Sequence, residues 1–210
     1  MLLDANSVMK ISPIVPVVVI DNSNEALDLA KALYEGGISI MEITLRTKAG
    51  LESIEKIANK FPSMIVGAGT VCNKQDYKNA VNSGSRFVFS PGITTSLIEE
   101  SKNHHIPFIP GVSSASEIML AKENKLNSCK LFPANQVGGV NILKAFSGPF
   151  PEVNFCPTGG ISLDNMNDFL ELNNVLCVGG SWISPSKLVK EKNFKEIIKV
   201  TQESLLRVRK

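Results

Sequence analysis

Two short apolar segments of this 210-residue chain contain charged residues at positions that should face the interior of a fold. In residues 39–46, the period-two alternation of a strand places Glu42, Thr44 and Arg46 on the face opposite Met41 and Ile43. The apolar face should pack against helices, so the three polar side chains should point inward. A carboxylate and a guanidinium there could provide acid–base chemistry and anion binding, or could form a purely structural ion pair.

The second charged position is Lys130, in residues 128–132, where the same alternation directs Lys130 and Phe132 inward. Burial of an ammonium group without compensation is costly and favours the neutral amine, and a nearby Arg46 would increase this effect. A neutral amine is a nucleophile, so we expect Lys130 to form a Schiff base. The alternative is a lysine that reaches solvent at the strand end or pairs with Glu42 for structure alone.

Two glycine-rich loops predict a phosphate site. Gly159-Gly160 follows the seventh apolar segment and Gly179-Gly180-Ser181 follows the eighth. We expect both loops to present backbone N–H groups at or near a helix N-terminus, where phosphate binds readily. A single glycine pair is more often an ordinary turn, but two pairs on adjacent strands favour a ligand site.

Neither a nucleotide site nor a metal site is expected. The segment 67–70 lacks the third glycine of a dinucleotide fingerprint because Cys72 occupies that position, so we expect close packing and an inward Thr70 hydroxyl instead. His104 and His105 are adjacent and point in different directions, which does not suit paired metal ligands, so both are predicted to be surface or capping residues. The four cysteines form no CxxC pair, which fits a reducing cytoplasm.

These residues lie on a regular alternation of strand-like and helical segments, typical of repeated βα units around a parallel sheet. Helical patterns cover residues 24–34 and 51–59, for example. Eight units predict a single (β/α)8 TIM barrel over residues 1–210, with a short extra N-terminal helix at about residues 3–10, rather than an open doubly wound sheet. The predicted strands are 14–19, 39–44, 64–69, 87–90, 108–110, 128–132, 153–156 and 175–178.

The composition fits a compact soluble domain. The hydrophobic fraction is 43% and the charged fraction 20%, too apolar for disorder and too polar for a membrane protein. The net charge of +2 is too balanced for a general nucleic-acid binder. We find no export signal or membrane span in the sequence, so neither nucleic acid nor membrane is an expected partner.

Seven short motifs fall in order on successive predicted strands. They are EITLRT (42–47), GAGT (67–70), SPG (90–92), IPG (109–111), KLFPA (130–134), CPTGGIS (156–162) and GGSW (179–182). Together they resemble the bacterial 2-keto-3-deoxy-6-phosphogluconate (KDPG) aldolase and 4-hydroxy-2-oxoglutarate aldolase family, and the resemblance covers nearly the whole chain.

The resemblance implies a class I aldolase without metal or cofactor, a homotrimer of (β/α)8 barrels. It makes Lys130 the Schiff-base lysine and Glu42 the general acid and base. The expected substrate is a 2-keto acid sugar phosphate, with Thr158 favouring gluconate-type over galactonate-type substrates. The implied substrate-binding residues are Arg46, Thr70, Pro91, Phe132, Thr158, Gly159, Gly160, Gly180 and Ser181.

Three alternatives stay open at this point. The chain could be a galactonate-type aldolase, or another phosphate-binding barrel such as a sugar-phosphate isomerase or a thiamine-phosphate-synthase-like transferase. It could also be a catalytically silent barrel that serves binding or assembly. An inward lysine on the sixth predicted strand, with Glu42 and Arg46 retained, favours the aldolase.

Overall fold

The computed structural model describes residues 3–209, in which strands and helices alternate along the chain. The strands are β1 Ile14–Val18, β2 Ile40–Thr44, β3 Ile65–Gly69, β4 Val88–Phe89, β5 Phe108–Ile109, β6 Gly111–Val112, β7 Ser128–Leu131, β8 Asn154–Pro157 and β9 Val178–Gly180. The helices are α1 Ala5–Met9, α2 Ala26–Glu35, α3 Gly50–Lys60, α4 Lys74–Asn82, α5 Thr95–Ser101, α6 Ala115–Glu123, α7 Gly139–Ser147, α8 Met166–Leu170, α9 Ser186–Lys190 and α10 Phe194–Leu206. A 3-10 turn, Ser23–Glu25, precedes α2.

The strands form a curled parallel sheet in two hydrogen-bonded parts, which confirms the predicted α/β class with a parallel sheet. One part has the order β5-β4-β3-β2-β1-β9 and the other β6-β7-β8. Two single-residue bridges, Phe155 to Val175 and Thr158 to Gly179, join β8 to the segment that contains β9. Every residue of β1, β2 and β7 is buried, as expected for strands covered on both faces.

The register of the strands determines how far along the sheet Glu42 and Lys130 lie. Glu42 on β2 lies opposite Val17 on β1 and Gly67 on β3. Lys130 on β7 lies opposite Gly111 on β6 and Cys156 on β8. Parallel neighbours in register point their side chains to the same side of the sheet.

The predicted fifth strand, 108–110, is instead two short strands on either side of Pro110. β5 pairs with β4 and β6 pairs with β7, so the chain changes partners at this residue. Proline has no N–H to donate to a ladder, which explains the break. Its carbonyl still accepts a hydrogen bond from the Lys130 N–H at 2.8 Å.

The prediction of the last strand is also wrong in position, since β9 begins at Val178 and continues through the two glycines expected to form a turn. Val178, Gly179 and Gly180 pair with β1. A Cβ at Gly179 would collide with the Thr158 side chain, and one at Gly180 with the ring of Trp182. Close approach of neighbours, rather than turn geometry, therefore requires glycine here.

The glycine loops do not lead directly into helices, which corrects a second expectation. Gly160 is followed by a turn in which Asn165 accepts a hydrogen bond from the Ser162 N–H and donates one to the Gly160 carbonyl. The five-residue helix α8 then begins at Met166, and α9, also of five residues, begins at Ser186. The Asn165 side chain therefore satisfies one backbone N–H group and one carbonyl of this turn, groups that would otherwise need a partner within a helix.

The two histidines, predicted to be surface or capping residues, differ in exposure. The ring of His104 is half-buried, lies 2.8 Å from a Glu100 oxygen and stacks on Tyr77 with a centroid distance of 5.4 Å. His105 is exposed.

Within residues 3–209, no helix is long and apolar enough to cross a membrane.

Candidate active site

Lys130 and Glu42 form a buried pair between two strands that do not pair with each other. The Lys130 Nζ donates to both Glu42 carboxylate oxygens, at 3.0 and 3.2 Å. Lys130 is 5% exposed and Glu42 1%. The carboxylate compensates the buried ammonium, and the short contact allows a proton to pass between the two groups.

Arg46 does not form the ion pair with Glu42 that the sequence left open. It lies two residues beyond the end of β2, its side chain is exposed, and no ion pair of Arg46 occurs within residues 3–209. The guanidinium is therefore available to bind an anion at the mouth of the site.

The position of the Glu42 carboxylate depends on Gly69 at the end of β3. A Cβ added at Gly69 would occupy the space of the Glu42 carboxylate oxygen. Two residues further along β2, the Thr44 hydroxyl donates to the Val18 carbonyl at 3.2 Å. The sequence reasoning assigned Gly69 to close packing but did not identify Glu42 as the neighbour.

Two aromatic rings lie near the lysine, one from another strand and one from the end of its own strand. The Lys130 Nζ lies 5.1 Å from the ring centroid of Phe89 on β4 and 5.6 Å from that of Phe132, just after β7. Phe89 was missed as a site residue, although alternation within residues 87–90 would have placed it on one face of its strand.

A narrow cleft of about 10 Å³, roughly the space of one water molecule, gives access to the lysine. It is lined by Arg46, Thr70, Pro91, Lys130 and Phe132, which brings together five of the residues predicted from the sequence. An amine within hydrogen-bond reach of a carboxylate, beside an exposed guanidinium, can attack the carbonyl carbon of a bound keto acid.

Thr70 adopts a backbone conformation that is rare for its residue type. Its φ is +59°, in the left-handed region, which is strained for a β-branched side chain and costs about 1–3 kcal/mol.

Cys72, two residues further on, is held by two hydrogen bonds. The Thr70 carbonyl accepts one from the Cys72 Sγ at 3.4 Å, and Asp76 accepts one from the Cys72 N–H at 3.1 Å. Burial, with a smaller contribution from the Asp76 charge, raises the pKa of the Cys72 thiol.

The remaining predicted residues form a second group at the carboxyl ends of β8 and β9. Thr158 is buried, whereas Gly160 and Ser181 are exposed and no hydrogen bond within the described chain engages their N–H groups. Gly159 and Gly160 have φ of +100° and +76°, so a side chain at either would be strained. This group, Thr158, Gly159, Gly160, Gly180 and Ser181, lies outside the lining of the cleft around Lys130.

No group of three or more His, Cys, Asp or Glu residues suited to a metal ion occurs within the part of the chain that the structure describes.

Comparisons with known proteins identify relatives over almost the full chain. The family model "Aldolase: KDPG and KHG aldolase" matches residues 5–200. The KHG/KDPG aldolase of Escherichia coli K12 is 43% identical over 201 residues, 96% of this chain and 94% of that protein. The 2-dehydro-3-deoxy-phosphogluconate aldolase of Pseudomonas aeruginosa is 44% identical over 194 residues, 92% of this chain and 88% of that protein.

Solved structures agree with these relatives. The KDPG aldolase from Legionella pneumophila, with pyruvate captured at low pH as a covalent carbinolamine intermediate, has a TM-score of 0.95 and 43% identity, covering 97% of this chain and 98% of that one. The Zymomonas mobilis enzyme with 3-phosphoglycerate has a TM-score of 0.93 and 37% identity, covering 100% of this chain and 98% of that one.

The tight contact between Gly69 and Glu42 makes a prediction about the geometry of the pair. Gly69→Ala should displace the Glu42 carboxylate and lower the free energy of unfolding by about 1–3 kcal/mol, as overpacking does. Gly92→Ala is the matched control, because a Cβ there meets nothing within 4 Å, and should change it by less than about 0.5 kcal/mol. Urea unfolding measures both, and equal stabilities would show that Gly69 is not required for packing against Glu42.

Proposed function

The chain belongs to the KDPG and KHG aldolase family, and on that premise we propose that it is a Schiff-base aldolase acting on 2-keto-3-deoxy-6-phosphogluconate. The products are pyruvate and glyceraldehyde 3-phosphate, and 4-hydroxy-2-oxoglutarate is a second substrate that yields pyruvate and glyoxylate. The observation that carries the proposal is the buried Lys130–Glu42 pair beneath an open cleft.

In the first half of the reaction, Lys130 bonds covalently to the substrate. Glu42 accepts a proton from the Lys130 ammonium, and the freed lone pair on Nζ adds to carbon C2 of the keto group. Glu42 passes this proton, and then a second one taken from the nitrogen of the adduct, to the departing oxygen, which leaves as water. The ammonium and the ketone have then become a protonated imine plus one water, and Glu42 is again a carboxylate.

In the second half, the positive imine accepts the electrons of the breaking bond. Glu42 takes the proton of the C4 hydroxyl, the C3–C4 bond breaks, and its electron pair forms a neutral enamine while the aldehyde leaves. The same carboxyl group returns the proton to C3, and water then hydrolyses the imine to pyruvate and the Lys130 ammonium. Each proton that Glu42 takes up is given back within the cycle.

The two groups of site residues suit the two ends of this substrate. Arg46 would bind the substrate carboxylate, with Thr70, Pro91 and Phe132 around the pyruvate-derived carbons. The exposed backbone N–H groups of Gly160 and Ser181, together with the adjacent Gly159 and Gly180, would hold the phosphate. Thr158, which belongs to the second group and is buried where it bridges Gly179, would favour the gluconate-type substrate.

We further propose that the sheet closes into a single (β/α)8 barrel domain over residues 1–210. Closure is supported by the short link between β5 and β6 through Pro110 and by the bridges between β8 and β9. The helix α1 would cover the amino ends of the strands, since the Asn6 amide oxygen accepts hydrogen bonds from Ser128 and Asn154 at the starts of β7 and β8. A homotrimer in the cytoplasm rests on the family resemblance alone.

The assignment of Lys130 predicts where pyruvate is trapped. Incubation with pyruvate and borohydride should add one reduced pyruvate to the peptide that contains Lys130, because reduction fixes the protonated imine. Peptide mass mapping locates the label, and Lys130→Met should abolish it. Labelling of a different lysine, or of none in the wild type, would refute the assignment.

The separation of the two groups predicts that phosphate binding can be disrupted without damage to the chemistry. Ser181→Asp places a negative charge beside the phosphate, and at about 4 Å such a repulsion is worth up to ~4 kcal/mol near a protein surface. The kcat/KM for the phosphorylated substrate should fall by about 100-fold or more. That for 4-hydroxy-2-oxoglutarate should change little.

Ser63→Asp provides the charge-matched control, since Ser63 is exposed just before β3, at the amino end of the strands. It should leave both substrates unaffected. Equal losses for the two substrates in Ser181→Asp would mean that the glycine loops are scaffold and do not bind the phosphate.

A further inference from the structure

Phe89 contacts the reacting nitrogen although no motif that carries the family resemblance includes it. Its ring is fully buried on β4, and its centroid lies 5.1 Å from the Lys130 Nζ, closer than that of Phe132. The attraction between a cation and an aromatic face is strongest where both are shielded from water, as they are here.

If the proposed function is correct, the extent to which the Phe89 ring stabilises the charge on the Lys130 nitrogen changes during the reaction. In the resting pair, the Glu42 carboxylate neutralises the Lys130 ammonium directly. When the protonated imine forms, the positive charge stays on the same nitrogen, but Glu42 must now take the proton of the C4 hydroxyl. The imine nitrogen keeps only one of the three N–H groups of the ammonium and pairs less fully with Glu42, so the ring of Phe89 offsets more of the charge in the imine than in the resting pair, until the C3–C4 bond breaks and the neutral enamine forms.

We propose that Phe89 is a positioning residue that holds the Lys130 nitrogen and stabilises its positive charge, in the ammonium and in the protonated imine. The competing explanation is ordinary core packing. Phe89 packs edge to face against Phe87 at 5.5 Å, and both rings are fully buried. Removal of the side chain would therefore disturb the core as well as the charge.

Fluorination separates the two roles because it withdraws electron density from the ring face while it keeps the ring in place. We would replace Phe89 by 4-fluoro-, 3,5-difluoro- and 3,4,5-trifluorophenylalanine through site-specific incorporation. The same series at Phe87 is the matched control, since Phe87 is equally buried and touches Phe89, but makes no cation contact with Lys130 within the described residues.

Two measurements at fixed pH should then move in opposite directions along the Phe89 series. The yield of borohydride-trapped pyruvate on Lys130, and the kcat/KM for cleavage, should fall stepwise by about 2- to 30-fold in total. The rate at which acetic anhydride acylates Lys130, relative to the exposed Lys125, should rise because the ring then attracts the Lys130 nitrogen less strongly. The Phe87 series should leave both quantities unchanged.

The outcomes distinguish this inference from the proposed function. If the unfluorinated protein traps pyruvate on Lys130 but both measurements are flat along the Phe89 series, the function stands and Phe89 is only a core residue. If both quantities rise, or the Phe87 series matches the Phe89 series, loosened packing explains the data and the inference is overturned. If the unfluorinated protein traps no pyruvate, the proposed function fails, and the role of Phe89 fails with it.

Discussion

The contact between the Lys130 ammonium and the Glu42 carboxylate imposes a requirement on every strand near it. An ammonium that is 5% exposed needs a partner, and the partner comes from β2, which does not pair with β7. The curl of the sheet must therefore bring these strands face to face. The carboxylate fits only because residue 69 has no side chain, so the Lys130–Glu42 pair depends on glycine at this position.

A buried ion pair is a poor explanation of stability by itself, because removing two charges from water costs about as much as their attraction returns. An apolar pair of similar volume would serve the core at least as well. The surroundings instead indicate that the pair has a functional role. They include the cleft above Lys130, the exposed Arg46 and the strained backbone of Thr70. The glycines that follow β8 and those that end β9 lie outside the lining of that cleft.

The sequence was sufficient to predict what depends on local periodicity. Alternation along two strands placed Glu42 and Lys130 inside, and repeated strand and helix patterns gave the parallel sheet. It did not show which charges pair, because that depends on the curl of the sheet. The exchange of partners at Pro110, the continuation of β9 through Gly179 and Gly180, and the contact from Phe89 are likewise set by neighbours distant in the chain.

The most direct test of the account is the turnover of Glu42→Gln. Glutamine keeps the size of the side chain and an oxygen that accepts the hydrogen bond from Lys130, but it cannot carry a proton between steps. The account predicts that kcat falls by about 10²- to 10⁴-fold while KM changes much less, in a protein whose unfolding remains cooperative. Near-normal turnover would reduce Glu42 to a structural partner of Lys130 and contradict the account.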